Sequence, residues 1–166
     1  MALKKIWDMV QNSTSKHFKN MGLAAFIVGR FSRYLNSPCH LVDNKGEAWS
    51  RNQIGEFGER VACDWLRSRG EKVIYRNYRA PQGGEVDIVA RRGKLLLFIE
   101  VKTRRAGGVG RPLDAVNQVK QELIERGANS WLKLLKTRSI PWRFDVIEVI
   151  VEEGKSPFIN RVENVF

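Results

Sequence analysis

Glu100 and Lys102 stand two residues apart at the end of the run Leu95-Leu96-Leu97-Phe98-Ile99. Side chains alternate along a strand, so this pair points to one face and Val101 to the other. The residues before the pair are apolar enough to lie inside a sheet, and a carboxylate in that setting needs a compensating charge. A divalent cation with hard oxygen ligands supplies one. Asp87 lies in Gly84-Glu85-Val86-Asp87-Ile88, which opens the preceding strand, and Gly58-Glu59 lies on a helical pattern upstream. Where two antiparallel strands and a helix meet, the carboxylates of Glu59, Asp87 and Glu100 are expected to converge with the ammonium of Lys102.

Such a set suits hydrolysis of a phosphodiester. That reaction needs an activated water, positive charge beside the developing phosphorane-like state, and a hold on the backbone. Asp87 and Glu100 are expected to share one Mg²⁺ or Mn²⁺, with the carbonyl of Val101 completing the inner sphere. Lys102 orients or deprotonates the attacking water, or neutralises the leaving oxygen, and the residues leave these roles open. Glu59, or Glu56 three residues before it, approaches from the helix to hold a metal-bound water. An isolated Glu-x-Lys usually marks an exposed strand end with a cross-strand ion pair. The combination with Asp87, a helical glutamate and a basic chain carries the specificity. Glu85 shares the Asp87 face by alternation but is read as capping the strand beside the Gly83-Gly84 turn.

The elements that must position these groups are legible in the pattern. Asn52 is read as an N-cap, Ile54, Phe57, Val61, Ala62, Trp65 and Leu66 recur at helical spacing, and Gly70 supplies the stop. Strands are expected at 73–78, 85–90 and 95–103, separated by turns at 81–84 and 91–94, as a meander. The glycine-rich stretch 106–112 reads as a loop, and 114–136 as a helix interrupted near Gly127. A fourth strand follows at 143–151 and a fifth at 158–166. This order predicts an α/β fold, a mixed β-sheet of 4–5 strands flanked by helices. Residues 1–50 show patchy helical spacing and read as a helical extension and loop, with 51–166 as the main domain.

The 166 residues carry a net charge of +11 with a pI near 10.1, which points to a polyanionic partner, DNA ahead of RNA. The basic excess is spread over both segments. No apolar stretch approaches the length of a membrane span, and no leader-like segment is apparent, so a cytoplasmic location is expected. Cys39 and Cys63 have no metal-type spacing and suggest no disulfide. Arg104, Arg105 and Arg111 flank the glycine-rich loop and are candidates for phosphate contact.

Taken together, Glu59, Gly84-Glu85-Val86-Asp87 and Phe98-Ile99-Glu100-Val101-Lys102-Thr103-Arg104, with Lys120 in a later helix and Arg143-Phe144-Asp145 opening a late strand, resemble the YraN-like family of bacterial proteins. The likeness covers about residues 53–151. It implies a restriction-endonuclease-like fold related to archaeal Holliday junction resolvases. It also implies metal ligation by Asp87 and Glu100, a catalytic Lys102, a supporting Glu59, and Lys120 among the nucleic-acid contacts. Such resolvases place a helical glutamate eleven residues before the glycine that closes the helix, the separation of Glu59 from Gly70, which favours Glu59 over Glu56. Val86-Asp87 stands where other superfamily members often have Pro-Asp, a departure usual in the resolvase-like branch.

The expected function is a metal-dependent endonuclease acting on DNA, branched or structured DNA included. A resolvase would work as a homodimer. The alternative is a catalytically silent nucleic-acid-binding protein on the same fold. A third reading has residues 1–35 docking on an anionic membrane or a partner's helix groove.

Overall fold

Ser50 sets the start of the long helix that carries Glu59. Its hydroxyl accepts from the backbone N–H of Gln53, and the Gln53 side chain accepts from the Ser50 N–H at 2.8 Å, a reciprocal cap. The cap is therefore Ser50 and not Asn52, which lies within the first turn, because only a residue three before a Gln or Glu can close that box. In the computed structural model, which describes residues 32–107, 118–135 and 140–165, the elements run as follows. A short α1 (Arg33–Asn36) precedes the capped α2 (Arg51–Ser68). Strands β1 (Lys72–Arg79), β2 (Glu85–Arg92) and β3 (Leu95–Arg105) come next, then α3 (Gln118–Leu134), β4 (Trp142–Val151) and β5 (Phe158–Glu163). The expected helical extension over 1–31, and Arg111 in its loop, lie outside the described residues.

Gly70 ends α2 at φ +76, with its N–H bonded to the Arg67 carbonyl and that of Glu71 to the Leu66 carbonyl. These are the two bonds of a left-handed helix stop. The sheet has the order β1-β2-β3-β4-β5. The first three strands form the expected antiparallel meander, β4 joins β3 in parallel, and β5 returns antiparallel. A parallel neighbour requires a crossover, and α3 lies within it. The helix runs unbroken through Gly127, contrary to the expected interruption. A Cβ there would meet Val86 Cγ2 at 3.0 Å and the Glu85 backbone at 3.1 Å, so the residue serves close packing.

Each sheet face buries one helix. Val61, Ala62 and Leu66 of α2 pack on Ile88, Leu97, Ile99, Ile147 and Val149, whereas Ile124, Ala128 and Trp131 of α3 pack on Val86, Val89, Phe98 and Val146. A fully buried side chain of this size contributes roughly 1.5–3 kcal/mol, so both faces hold the sheet rigidly. Residues 32–50 join the α2 face. Cys39 and Leu41 are buried there, Trp49 and Tyr34 pack their rings on Phe57, and the Cys39 N–H bonds to the Lys155 carbonyl at 2.8 Å. Both cysteines are free and buried. Among the described residues no helix is long and apolar enough to cross a membrane.

Candidate metal centre at the fork of the sheet

The β2–β3 ladder stops early. Its last pair is Ile88↔Ile99, although β3 continues to Arg105 beside β4, and β2 continues back to Glu85 beside β1. Beyond that pair the two strands part. Two residues beyond Ile99 on β3, the Val101 N–H is accepted by Asp87 Oδ2 at 2.8 Å, so a side chain takes the place of the missing ladder bond. A kink in the opposite pair helps to aim Asp87. Asn77, at φ +51, lies between the pairs Arg76↔Ile88 and Tyr78↔Val86, opposite Asp87. The pleat reverses there, since Val86 packs toward α3 and Ile88 toward α2. Strict alternation therefore does not run through Asp87.

Glu100 and Lys102 share the α3 face, as their spacing predicts. Lys102 Nζ donates to Glu100 Oε1 at 2.8 Å. Lys120 Nζ, from α3, lies 3.2 Å from the same oxygen and donates to Glu85 Oε1 at 2.6 Å. The other Glu100 oxygen, Oε2, is buried without a hydrogen-bond partner, in a side chain only 3% exposed. Burial, together with the Glu100 charge, pushes the Asp87 carboxyl up to about 7, against the opposing pull of the Val101 N–H and Lys120. Lys120 is raised although burial disfavours its charge, because hydrogen bonding to Glu85 and the charges of Glu100 and Asp87 outweigh the desolvation. The Glu85 carboxyl is held below its ordinary range by the Lys120 hydrogen bond.

Glu59 comes from the α2 side. Its carboxylate is 3.5 Å from the Arg76 guanidinium of β1, and its negative charge is felt at Asp87. Glu56 instead pairs with Arg60 on the exposed helix surface. The helix presses on β3 immediately beside Glu59, because a Cβ on Gly58 would fall 1.8 Å from Thr103 Oγ1. Only glycine permits that approach.

The structure thus brings Asp87, Val101, Glu100, Lys102 and Lys120 together, with Glu59 entering from the far side of the sheet on Arg76. Glu85, read as a strand cap, is tied into the cluster by Lys120. Arg76 carried no sequence signal beyond its charge. Arg104 is turned to the buried Glu148, at 2.7 Å, and Arg105 reaches the Trp49 carbonyl at 3.3 Å. Asp145 takes no part in this cluster. It lies on the α2 face, bound to Arg143, Arg161 and the Asn164 N–H.

Among the described residues no three His, Cys, Asp or Glu side chains gather at metal-ligand spacing. The set at the fork is of another kind, two carboxylates beside a main-chain carbonyl. Asp87 is costly to ionise where it stands, and Glu100 presents an acceptor with nothing to accept. Both features fit a hard cation with water in its remaining positions.

The matches with known proteins cover this region. The model for "Uncharacterised protein family UPF0102" matches residues 58–149, from Gly58 through the whole cluster to β4. A UPF0102 protein of Trichlorobacter lovleyi is 42% identical over 114 residues, covering 68% of this chain and 89% of that protein. One of Geobacter sulfurreducens is 43% identical over 122 residues, covering 73% and 94%. One of Alkaliphilus metalliredigens is 40% identical over 113 residues, covering 68% and 96%. With the YraN-like resemblance upheld by these matches, the chain belongs to the uncharacterised protein family UPF0102.

Proposed function

We propose that this protein is a divalent-metal-dependent endonuclease of the restriction-endonuclease-like kind, related to Holliday junction resolvases and acting on DNA in the cytoplasm. The observation that carries the reading is the buried, unpartnered Glu100 Oε2 beside an Asp87 whose ionisation is opposed by burial and by the Glu100 charge. Asp87, Glu100 and the Val101 carbonyl would hold the ion. Mg²⁺ or Mn²⁺ there supplies activation of a water and neutralisation of charge on the scissile phosphate.

The protein's own groups do the rest. Lys102, part-exposed and anchored on Glu100, is placed to orient the attacking water or to give a proton to the leaving oxygen. Lys120 pins Glu100 and Glu85 and so sets the carboxylate's orientation. Glu59, held by Arg76, positions water at the open side of the fork. The net charge of +11 draws in the polyanion, with Arg105 and Arg111 as phosphate contacts; Arg104 divides its charge with Glu148. Two copies would be needed to cut the two strands of a symmetric junction.

The test is cleavage of junction, flap and linear DNA with Mg²⁺ or Mn²⁺ by the wild type and by Asp87→Ala and Lys102→Ala. Cleavage retained in both variants would remove the assigned site. A second reading, a DNA-binding protein without turnover, draws on the two lysines that already crowd Glu100 Oε1. Under it, DNA affinity is salt-sensitive and indifferent to metal, and calorimetry detects no Mg²⁺ or Mn²⁺ binding that Glu100→Ala abolishes.

A further inference from the structure

On the other side of the β1–β2 turn from Lys120 and Glu85 lies a cleft of about 300 Å³ that the proposed cutting chemistry does not use. Its walls are the turn residues Gln82 and Gly83 and the α3 side chains Arg126, Asn129, Ser130 and Lys133. Arg126 and Lys133 are each three or four residues from both Asn129 and Ser130, which are adjacent, so the four line one strip of α3. Two cations and three neutral hydrogen-bonding side chains, with no carboxylate in the lining, make an anion site.

The cleft is built rather than incidental. Gly84 stands at φ +104, where a Cβ would fall 2.6 Å from the Gly127 nitrogen and 2.7 Å from the Leu123 carbonyl oxygen. Turn and helix are therefore locked together by two glycines, and the walls cannot spread without parting that contact. Ser130 is fixed from behind by the Tyr78 hydroxyl at 2.9 Å. Tyr78 also packs edge-on against Tyr75, with ring centres 5.9 Å apart, and both pack on Trp131. Tyr75 is the half-exposed ring of this group, at 43%. One accessible ring, Tyr75, backed by the buried Tyr78 and Trp131, thus stands near a basic cleft, the pairing that holds unpaired nucleic acid through its phosphates and its bases together.

Position adds direction. At the rise of an α-helix, Arg126 lies about 9 Å and Lys133 about 20 Å along α3 from Lys120, on the scale of several successive phosphates of one strand. We infer that the cleft binds backbone phosphates of an unpaired strand leading away from the fork, with one base against Tyr75. The inference rests on nucleic acid being the partner. It makes the substrate one with a single-stranded arm, a flap or an opened junction, ahead of a continuous duplex.

The experiment is fluorescence anisotropy with a labelled single-stranded oligonucleotide and a blunt duplex of the same length, in EDTA so that turnover plays no part. Arg126→Ala combined with Lys133→Ala is expected to weaken single-strand binding about tenfold and to lower the salt slope by about one to two. Tyr75→Ala should weaken the single strand and leave the duplex unchanged. The substituted side chains are exposed, and a thermal melt matching the wild type checks the fold. Unchanged single-strand affinity in the double variant overturns the inference, as does an equal loss for both ligands. Displacement of the oligonucleotide by millimolar inorganic phosphate alone would reassign the cleft to a small anion. If metal-dependent cleavage is absent while the selective loss persists, the nuclease reading falls and the cleft stands.

Discussion

The two faces of the sheet each gather three acidic side chains near one another and treat them in opposite ways. On the α2 face, Glu71, Asp145 and Glu163 meet Arg92, Arg143 and Arg161, a guanidinium for every carboxylate. On the α3 face, Asp87, Glu85 and Glu100 have two lysines, and both reach the same oxygen of Glu100. Arginine forks bind carboxylates in fixed planes and stay charged, whereas ammonium groups are point charges that can release their proton. Glu71 also keeps one oxygen without a partner, but its other oxygen takes both Arg92 and Arg161. The first cluster is neutralised by the fold itself. The second retains acceptor capacity and strained ionisation, the condition in which a cation or a reacting group is bound.

If that contrast is correct, substitutions on the two faces should separate activity from stability. The largest effect belongs to the fork. Asp87→Ala or Glu100→Ala is expected to lower metal-stimulated DNA cleavage by ~10³- to 10⁴-fold, about 4–5.5 kcal/mol of barrier, and to abolish the heat of Mn²⁺ binding with little change in the urea midpoint. A loss of activity that merely tracks unfolding would erase the distinction between the faces. Next comes Arg161→Ala, which leaves Glu71 and Asp145 buried without their shared partner. Removing one side of such a network costs about 3–4 kcal/mol, read as a fall in the urea midpoint at unchanged metal affinity.

The third test uses pH. The folded Asp87 carboxyl sits near 7, raised from 3.8, so between those values the unfolded chain gives up a proton that the folded one keeps. This group therefore adds nothing below about pH 4, opens a stability loss as pH rises toward 7, and costs most above that. Asp87→Asn, which keeps an acceptor for the Val101 N–H, should stabilise the metal-free protein at pH 8 by up to about 4 kcal/mol and leave it unchanged at pH 3.5. Melting curves at the two pH values, with and without Mg²⁺, provide the measurement. Equal stabilisation at both would show that Asp87 is not held neutral by its surroundings. The smallest effect is Gly58→Ala. Its Cβ would overlap Thr103 Oγ1, so α2 must lift from β3, at about 1–2 kcal/mol. Activity should fall more than that loss explains, because Glu59 moves with the helix, and Thr103→Ala in the same chain, which removes the overlapping hydroxyl, should recover part of it.

Much of this was readable along the chain because it depends on short-range periodicity. All five strands were anticipated in place, since runs such as Leu95 to Ile99 and Phe144 to Ile150 leave no other way to bury their side chains. The Glu100–Lys102 pairing followed from alternation within one strand. Alternation did not extend across Asp87, where the positive φ of Asn77 on the neighbouring strand reverses the pleat. The interruption expected at Gly127 was local reasoning from propensity, overridden by packing against Glu85 and Val86.

What the amino-acid order determined by itself is the identity and rough placement of the reactive groups. Helical and strand periods and the excess of positive charge are properties of neighbouring residues and of their sum. The tertiary structure alone decided which carboxylates were already spoken for. Asp145 and Asp87 are equally acidic as letters, but one is enclosed by guanidinium groups from β4 and β5, and the other lies where β2 and β3 part, facing a carboxylate with an idle oxygen. Charge compensation acts through space: Arg143 stands only two residues from Asp145, but Arg161, which completes the enclosure, comes from sixteen residues away, where no local pattern reports it.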